Sequence, residues 1–317
     1  MSRLREHLPP WLRRAARDID HHVLRSYPAF YLSSLPRAVW PRRFTDKVRR
    51  RMLFDRDPLL QTFADKALVR DYVRSVVGER YLARAYAISD DPRSVDWHAL
   101  PETYACKATH ACGGAVIVSE DADASTTLPA PEGAKWGRFF VRPGSVSPER
   151  MTAISEHWLG RRFGRGPGST HEWQYGGITP RILVEELLRG PDGRRVNAEY
   201  NFYVFHGACA IVRAASDRMT KLRLGTYRPD WTRIPVSGSR HEPDEPHERP
   251  ANLDDMLRVA EALATDIEFV RVDLYDLGDR VVFGELTVTP TAGRPRIPPM
   301  LDRLLGEYWH LGRSRSS

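Results

Sequence analysis

Two stretches of the chain alternate apolar and polar residues with the period of two that β-strands show. The first stretch, Ala198–Asp217, is interrupted at His206-Gly207, and the second, Phe269–Pro290, is interrupted at Gly278-Asp279-Arg280. Glycine and small polar residues at these points favour tight turns. Each stretch is therefore predicted to form a β-hairpin with one apolar face against a core and one polar face.

The polar face of the second hairpin is predicted to bring two carboxylates together. The turn should pair Leu277 with Val281, and counting outward from that pair places Asp273 directly opposite Glu285. Like charges with Cβ atoms about 5 Å apart destabilise a strand pair unless a cation lies between them. Mg²⁺, which typically takes one or two carboxylates and substrate phosphates, would supply that cation and indicates a nucleotide.

Arginines on the same hairpin offer another source of positive charge. Arg271 is predicted to lie opposite Thr287 on the carboxylate face, and Arg280 lies in the turn. They could neutralise a solvated sheet face without a metal. From the hairpin alone, a metal site and an ion-paired surface both remain open.

The rest of the chain mixes helical and strand patterns. Residues 56–88 are predicted to form a helix followed by a short strand, and the charged, Pro-rich residues 237–250 are predicted to form a mobile loop. Further helices are predicted at Pro148–Phe163 and Leu253–Thr265, and further strands at Tyr104–Lys107, Val116–Ser119 and Arg181–Leu188.

A glycine-containing connection, residues 109–115, joins two of these strands. It is not a P-loop, because that motif opens a helix and reads GxxxxGK[ST]. The backbone N–H groups of a loop between strands can nevertheless bind phosphate, and Lys107 would point an ammonium to the same place. The same pattern is also typical of a plain surface loop.

Composition indicates a globular protein with an uneven distribution of charge. Of 317 residues, 41% are hydrophobic and 28% are charged, which allows two domains or one large composite domain. The net charge is +7, and the first 51 residues hold 13 Lys and Arg against 4 Asp and Glu. This basic segment could contact nucleic acid, an anionic membrane surface or an acidic polymer, or it could simply be solvated. Its weak helical stripe consists of Trp11, Leu12, Ala15 and Ile19.

The cysteines and the lengths of the apolar runs indicate the cellular compartment of the protein. The three cysteines, Cys106, Cys112 and Cys209, do not form a disulfide framework or a zinc motif, and no His-Asp relay accompanies Cys112. The sequence contains no run of about 18 apolar residues. The chain is therefore predicted to be soluble and cytoplasmic, with reduced thiols.

The order of several motifs resembles that of the ATP-grasp superfamily, and more closely its TupA-like branch, which is associated with teichuronopeptide and cell-surface polymer synthesis. The resemblance extends over roughly residues 30–310. The motifs are FTDK at Phe44–Lys47, DRDPLLQTFADKALVRDYV at Asp55–Val73, LPETYACKATH at Leu100–His110, EWQY at Glu172–Tyr175, PRILVEELL at Pro180–Leu188, EYNFYVFHG at Glu199–Gly207 and FGELTVTPTAG at Phe283–Gly293.

The resemblance implies an α+β ATP-grasp fold in which two α+β subdomains hold ATP between antiparallel sheets, preceded by a helical N-terminal extension. The implied divisions are a basic extension at 1–54, an α/β part at 55–105, a small subdomain with the glycine loop and hinge at 106–189, a C-terminal subdomain with the metal hairpin at 190–310, and a tail at 311–317.

The resemblance also implies roles for individual residues. Lys66, from a helix, and Lys107, from a strand, would bind the ATP phosphates, and Arg271 or Arg294 would steady the substrate carboxylate or the developing oxyanion. The remaining ATP contacts would come from His110, Gly113, Gly114, Glu185, Glu186 and Leu188. The Mg²⁺ ligands would be Asp273, Glu285 and Thr287.

Some positions depart from the branch pattern. Thr287 stands where many ATP-grasp enzymes have Asn, and Ala111 and Cys112 stand where the branch tends to Gly and Ser. Asn201 stands where a Lys is expected, and Glu199 replaces an Asp. These departures leave loop geometry, metal ligation and substrate recognition open.

The implied function is an ATP-dependent carboxylate–amine ligase that forms an amide through an acylphosphate, in cell-surface polymer or peptide-conjugate biosynthesis. Its partners would be an acyl donor and an amine, as an amino acid, a peptide or a polymer-linked group, with no nucleic acid. The basic N-terminus could touch a membrane surface. The alternatives are a catalytically weakened nucleotide-binding protein of the same fold and a basic polyanion-binding protein.

Overall fold

The computed structural model describes residues 35–163, 172–190, 192–217, 222–236, 241–243, 245–294 and 296–312. The stripe at 11–19 and most of the expected N-terminal extension lie outside these residues. So do residues 237–240 and 244 of the expected mobile loop, and its mobility stays a prediction. Within the extension, residues 35–39 and the helix that begins at Phe44 are helical.

The helices lie before, between and after two sets of strands. They are α1 Phe44–Phe54, α2 Pro58–Ala64, α3 Leu68–Val76, α4 Pro131–Ala134, α5 Pro148–Leu159, α6 Leu253–Ala262 and α7 Pro299–Tyr308.

The single helix predicted before the first strand is wrong, because the chain breaks between α2 and α3. At this break the Asp65 carboxylate accepts hydrogen bonds from the N–H groups of Ala67 and Leu68, at 2.8 and 3.3 Å. An Asp in this position satisfies N–H groups that have no partner inside the new helix, so it favours a fresh helix start. Lys66 therefore lies in a turn between two helices and not on a helix as expected.

The first sheet contains five strands in the order β1-β5-β2-β3-β4. All neighbours are antiparallel except β3 and β4, which are parallel. The strands predicted around the glycine loop and at 181–188 are confirmed with small changes at their ends. The strands are β1 Ala85–Ser89, β2 Tyr104–Ala108, β3 Ala115–Val118, β4 Arg138–Val141 and β5 Ile182–Glu186.

The second sheet is antiparallel and contains both predicted hairpins, in the order β10-β9-β6-β7-β8. The turn at His206-Gly207 is confirmed, with φ of 51° and 76°, a left-handed conformation that suits a two-residue hairpin turn. The strands are β6 Glu199–Phe205, β7 Ala208–Ser216, β8 Arg223–Tyr227, β9 Phe269–Asp276 and β10 Val281–Thr287.

The register of the β9–β10 hairpin contains a β-bulge that the sequence analysis did not predict. Near the turn Val281 pairs with Asp276 and not with Leu277, so the predicted pairing at the turn is wrong. The bulge at Gly284 then shifts the register by one residue, and Glu285 lies opposite Asp273 as predicted. A Cβ at Gly284 would lie 2.9 Å from Cε2 of Tyr275 and 3.0 Å from the Asp273 carbonyl oxygen. Glycine at this position therefore permits the bulge that aligns the carboxylates.

Each sheet has its own hydrophobic core. Trp158, Ile154 and Met151 of α5 pack on the first sheet, and Met256 and Val259 of α6 pack on one face of the second. On the opposite face of the second sheet, a third cluster contains apolar residues of α1, α7, β6 and β9, among them Phe44, Phe205, Phe269, Leu301 and Trp309. The remaining part of that face carries polar side chains, and these form the candidate site.

No helix in the described part of the chain combines the length and the apolar character needed to cross a membrane.

Candidate functional site

Arg271 lies at the centre of the carboxylate pair. Its Nε donates to Oδ1 of Asp273 at 2.6 Å, and its Nη2 donates to Oδ2 of the same carboxylate and, at 2.9 Å, to Oε1 of Glu285. The Thr287 hydroxyl completes the group, because it accepts from Nη2 at 3.0 Å and donates to Glu285 at 2.9 Å. The like charges predicted on this face are therefore bridged by a guanidinium.

The electrostatics of this group follow from burial and from the bridge. Burial raises the pKa of Asp273, which is 2% exposed, and Arg271 opposes that rise. A guanidinium only donates hydrogen bonds, so its two bonds to Asp273 need carboxylate acceptors, and we describe the pair as charged. For Glu285, burial also acts to raise the pKa, but Arg271 and then Lys66 outweigh it and hold the pKa at about 2. Because 44% of the Glu285 side chain is exposed, solvent weakens this interaction.

Lys66 connects this group with the glycine loop of the first sheet. Its Nζ donates to the carbonyl oxygen of Ala111. Burial lowers the pKa of Lys66, and the nearby charge of Glu285 opposes that change. Lys66 thus lies where the first sheet meets the carboxylates of the second.

Lys107 is held on the first sheet by the carboxylate of Glu185. Its ammonium forms an ion pair with Oε1 of Glu185, and Nη1 of Arg70 lies 3.4 Å from Oε2 of the same residue. Glu185 is 8% exposed, whereas 32% of the Lys107 side chain is exposed. The Lys107 side chain is therefore held by buried Glu185 and is also accessible to solvent. The sequence analysis missed Arg70, although it lies inside the quoted block Asp55–Val73 and is buried.

The glycine loop packs closely against Trp136. A Cβ at Gly113, where φ is 110°, would lie 2.4 Å from the Trp136 carbonyl oxygen, and one at Gly114 would lie 3.1 Å from its ring. His110 is buried beside the same indole, and its Nε2 lies 3.1 Å from the Trp158 carbonyl oxygen. Trp136 thus packs against the described loop and restricts its backbone.

The expected adenine hinge follows β5. The carboxylate of Glu186 accepts hydrogen bonds from the N–H of Arg84 and from Arg280, both at 2.8 Å. The carbonyl oxygen of Leu188 accepts from the N–H of Val196 at 3.1 Å. Arg280 therefore connects the tip of the second hairpin with the first sheet and does not neutralise the face that carries Asp273.

Arg294 follows a left-handed turn at the end of the second hairpin, with φ of 57° at Thr291 and 50° at Ala292. Among the described residues, its side chain has no hydrogen bond or ion pair, and the structure does not bring it onto the carboxylates.

A polar group just after β10 was not predicted as part of the site from the sequence. Gln174 donates to the Thr289 hydroxyl at 2.7 Å, and that hydroxyl donates to Glu172, so the EWQY motif fixes the chain just after β10.

The residues present are suited to Mg²⁺ in chemistry, although Arg271 lies between the two carboxylates. Asp273 and Glu285 offer hard oxygen ligands, and the exposed part of Glu285 leaves room for a further cation. The Thr287 hydroxyl is already engaged by both Arg271 and Glu285. Within the described ranges, no three His, Cys, Asp or Glu side chains form a metal-binding group. Mg²⁺ would therefore depend on two carboxylates and on phosphate oxygens.

Residues 165–310 match the model of a protein family described as TupA-like ATP-grasp. This segment of the chain is therefore similar to the TupA-like ATP-grasp family. The resemblance drawn from the motifs is confirmed over this segment, and the two sheets with their helices form the expected α+β architecture. No curated protein matches the chain.

Solved structures similar to this chain include ATP-grasp ligase PsnB complexed with a minimal precursor, at 12% identity and a TM-score of 0.38, covering 80% of this chain and 61% of that one. The D-alanine–D-alanine ligase from Bacillus anthracis complexed with ATP is also 12% identical, with a TM-score of 0.40 and coverage of 73% and 57%. Macrocyclase MdnC from Microcystis aeruginosa MRC, bound with precursor peptide MdnA, is 11% identical, with a TM-score of 0.38 and coverage of 83% and 68%. The chain thus spans about three fifths of the length of the first two.

Proposed function

We propose that this chain is an ATP-dependent carboxylate–amine ligase that forms an amide through an acylphosphate, in cell-surface polymer or peptide-conjugate biosynthesis. The observation that carries the proposal is the carboxylate pair of Asp273 and Glu285, which lie opposite each other on the second sheet. Lys66 is bonded to the glycine loop at Ala111, and its charge acts on Glu285, so it would bring a phosphate-binding cation to a metal-binding carboxylate. The match of residues 165–310 to the TupA-like ATP-grasp model supports the same activity.

Nucleotide would bind between the two sheets. Lys66 and Lys107 would bind the phosphates, with His110, Gly113 and Gly114 covering them. Glu185, Glu186 and Leu188 would line the adenine side. On binding, Lys107 would exchange its ion pair with Glu185 for a phosphate oxygen, which is a comparable charge-assisted contact.

The Mg²⁺ ligands would be Asp273 and Glu285, with Thr287 in a supporting position. When bound, Mg²⁺ would neutralise phosphate charge between them. Arg271 would have to give up part of its bridge, and its freed guanidinium edge would then point toward the space above the carboxylates. That edge suits the substrate carboxylate or the developing oxyanion. Arg294 is proposed as a second, more distant substrate contact.

In the proposed reaction, a carboxylate oxygen of the acyl donor attacks the terminal phosphorus of ATP and ADP leaves, which gives an acylphosphate. An amine nitrogen then attacks the acyl carbon, inorganic phosphate leaves with its bridging oxygen, and the amine loses a proton to solvent. The lysines and Arg271 would stabilise the negative charge that spreads over the phosphoryl oxygens. Closure of the site would exclude the water that hydrolyses an acylphosphate.

The proposal extends to organisation and location. We place the functional divisions at 1–54, 55–105, 106–189, 190–310 and 311–317, with the protein in the cytoplasm. The basic N-terminal segment would contact an anionic membrane surface, where a polymer-linked substrate would be found.

The decisive experiment is an ATP titration by calorimetry with and without Mg²⁺, followed by screening of carboxylates and amines for ADP release. Saturable, Mg²⁺-dependent binding is expected. Glu285→Gln should weaken Mg·ATP binding with the fold intact, and Lys107→Ala should weaken ATP binding. Equal affinities in parent and variants would remove these residues from the site. No binding by the parent would contradict the proposal.

One observation favours a second candidate, a nucleotide-binding partner protein of the same fold with weak catalysis. Arg271 already satisfies both carboxylates, and Lys107 is already paired. Such a protein would bind ATP without strong dependence on Mg²⁺ and would release no ADP with any carboxylate and amine pair. The same titration and screen separate the two candidates.

A further inference from the structure

A row of side chains crosses the polar face of the second sheet, one from each strand. Glu285 lies opposite Asp273, Asp273 opposite Asn201, Asn201 opposite Arg213, and Arg213 opposite Thr226. Residues directly opposite each other in antiparallel strands share a face of the sheet. Arg213 therefore faces the same side as the carboxylates, two strands from Asp273 and about 10 Å away at the backbone.

Six arginines of the described chain have a buried Nε atom without a hydrogen bond, and Arg213 is one of them. It differs from the other five in its remaining contacts. Four of them are engaged through another part of the guanidinium, namely Arg49, Arg51, Arg181 and Arg233, and a fifth, Arg195, lies over the ring of Phe140. Among the described residues, Arg213 has no hydrogen bond, ion pair or aromatic contact.

The polar side chains near Arg213 on this face form hydrogen bonds with residues other than Arg213. Asn201 donates its side-chain amide to Oε1 of Glu199 at 2.6 Å, and Tyr275 donates to Oε2 of Glu199 at 3.2 Å. Asp273 is held by Arg271. A buried donor without a partner costs stability, so the buried Nε of Arg213 needs an explanation such as a ligand.

We propose that Arg213 binds the terminal phosphoryl group of the nucleoside triphosphate, which would rest above Asn201. This inference rests on the proposed function. Lys66 is bonded to the glycine loop at Ala111, and the charges of both Glu285 and Lys107 act on it. A phosphate chain that starts beside Lys66 and Glu285 and extends along the row would reach Arg213 with its last group. A guanidinium fork matches two phosphoryl oxygens, and it would hold the group that is transferred in line with the acyl donor.

The test compares ATP and ADP affinities, both with Mg²⁺, in the parent and in Arg213→Met. Loss of a charged contact to the terminal phosphoryl group should weaken ATP binding about tenfold or more and change ADP binding less than about twofold. Arg213→Lys should restore most of the difference between the two nucleotides. Arg223→Met is the matched control, because Arg223 lies opposite Ser216 on the other face of the same sheet and should leave both affinities unchanged.

Several outcomes would overturn the inference. An unchanged ratio of ATP to ADP affinity in Arg213→Met would remove Arg213 from the phosphoryl site while leaving the proposed function standing. An equal loss for both nucleotides would do the same. If Arg213→Met does not fold, Arg213→Gln and Arg213→Lys replace it, and only the Gln variant should lose the ratio.

Failure of the proposed function would be seen separately, as a parent that binds neither nucleotide. Arg213 is then tested with inorganic triphosphate, by the shift in unfolding temperature. A shift in the parent that is lost in Arg213→Met would support an anion site. No shift in the parent, or equal shifts in both, would overturn it.

Discussion

At the scale of single residues, the charge on Arg271 decides how the two carboxylates of the second sheet behave. One guanidinium joins Asp273 and Glu285 and also contacts Thr287. Because Asp273 is almost fully buried, it depends on this partner, whereas the partly exposed Glu285 has solvent as well. Any cation that replaces Arg271 must satisfy the buried carboxylate first.

Arg271→Met is therefore expected to lower the free energy of unfolding by about 3–5 kcal/mol in the absence of metal, because it leaves a buried carboxylate unpaired. If Mg²⁺ can occupy the vacated space, adding it should restore part of the loss. Urea unfolding of parent and variant with and without Mg²⁺ measures both effects. Arg280→Met serves as the control, since Arg280 pairs with Glu186 near the surface. An Arg271→Met variant as stable as the parent would contradict the ion-pair description.

Glu285 also makes stability depend on pH. Its pKa falls from 4.5 to about 2 in the folded chain, mainly through Arg271 and Lys66 acting against burial. The unfolded chain therefore binds more protons in between, so the contribution of Glu285 is complete above about pH 4.5 and is lost as the pH falls through about 2.

The expected result is a difference in the free energy of unfolding between parent and Glu285→Gln that is constant from pH 6 to 7 and shrinks below about pH 4.5. Denaturant titrations across this range would test it. A difference of the same size at pH 3 and pH 7 would show that the carboxylate is not stabilised by charge.

At the scale of elements, the glycine loop depends on its contact with Trp136. Gly113→Ala would place a Cβ 2.4 Å from a backbone oxygen at a φ of 110°, and backbone atoms cannot move aside cheaply. The expected loss is about 1–3 kcal/mol, with weaker ATP binding as the loop shifts. Gly144→Ala is the control, because nothing lies within 4 Å of its added Cβ. Equal thermal unfolding temperatures for the two variants would contradict the close contact.

The sequence predicted the elements whose patterns are local. Both hairpins follow from alternation and turn residues, and the opposition of Asp273 and Glu285 was predicted correctly even though the pairing at the turn was not. The bulge at Gly284 could not be read from alternation, because the atoms that leave no room for a Cβ there belong to Tyr275 and Asp273 on the neighbouring strand. The break at Lys66 had a local signal, since Asp65 is a favoured residue for starting a helix, but apolar periodicity continues through it.

The site was harder to predict than the fold, because its contacts join distant parts of the chain. The motifs identified Lys66, Lys107, Asp273 and Glu285 as candidates, and the hairpin pattern left open whether a metal or Arg271 neutralises the two carboxylates. The contacts of Arg271 with both carboxylates decide this point only in the folded chain. Arg213 carries no motif at all. It becomes visible only when the strand register places it in one row with Asp273.

At the scale of the whole molecule, α1 and α7 hold each other in place over the second sheet. Asp302 of α7 accepts hydrogen bonds from the N–H and the hydroxyl of Thr45, at 2.8 and 3.0 Å, at the start of α1. In return, Lys47 of α1 donates to the carbonyl oxygens of Gly306 and Trp309 at the end of α7. Together the two helices cover Phe205 and Phe269.

Asp302→Ala should therefore destabilise the chain as a whole by about 1–3 kcal/mol, because two donors of Thr45 lose their buried acceptor. Chemical denaturation followed by tryptophan fluorescence would measure the change. The neighbouring and exposed Arg303 gives the matched control as Arg303→Ala. A change in the Asp302 variant no larger than that in the control would mean that the paired helices add little to stability.

The bond between Thr45 and Asp302 also sets an order of events during synthesis. The two residues are 257 positions apart. At about 5–20 residues per second, a ribosome needs roughly 10–50 s to add that length of chain. Until then Thr45 at the start of α1 lacks its Asp302 acceptor, and the aromatic residues beneath α1 lack the cover that α7 provides. A newly made chain would thus expose this surface to chaperones until α7 emerges.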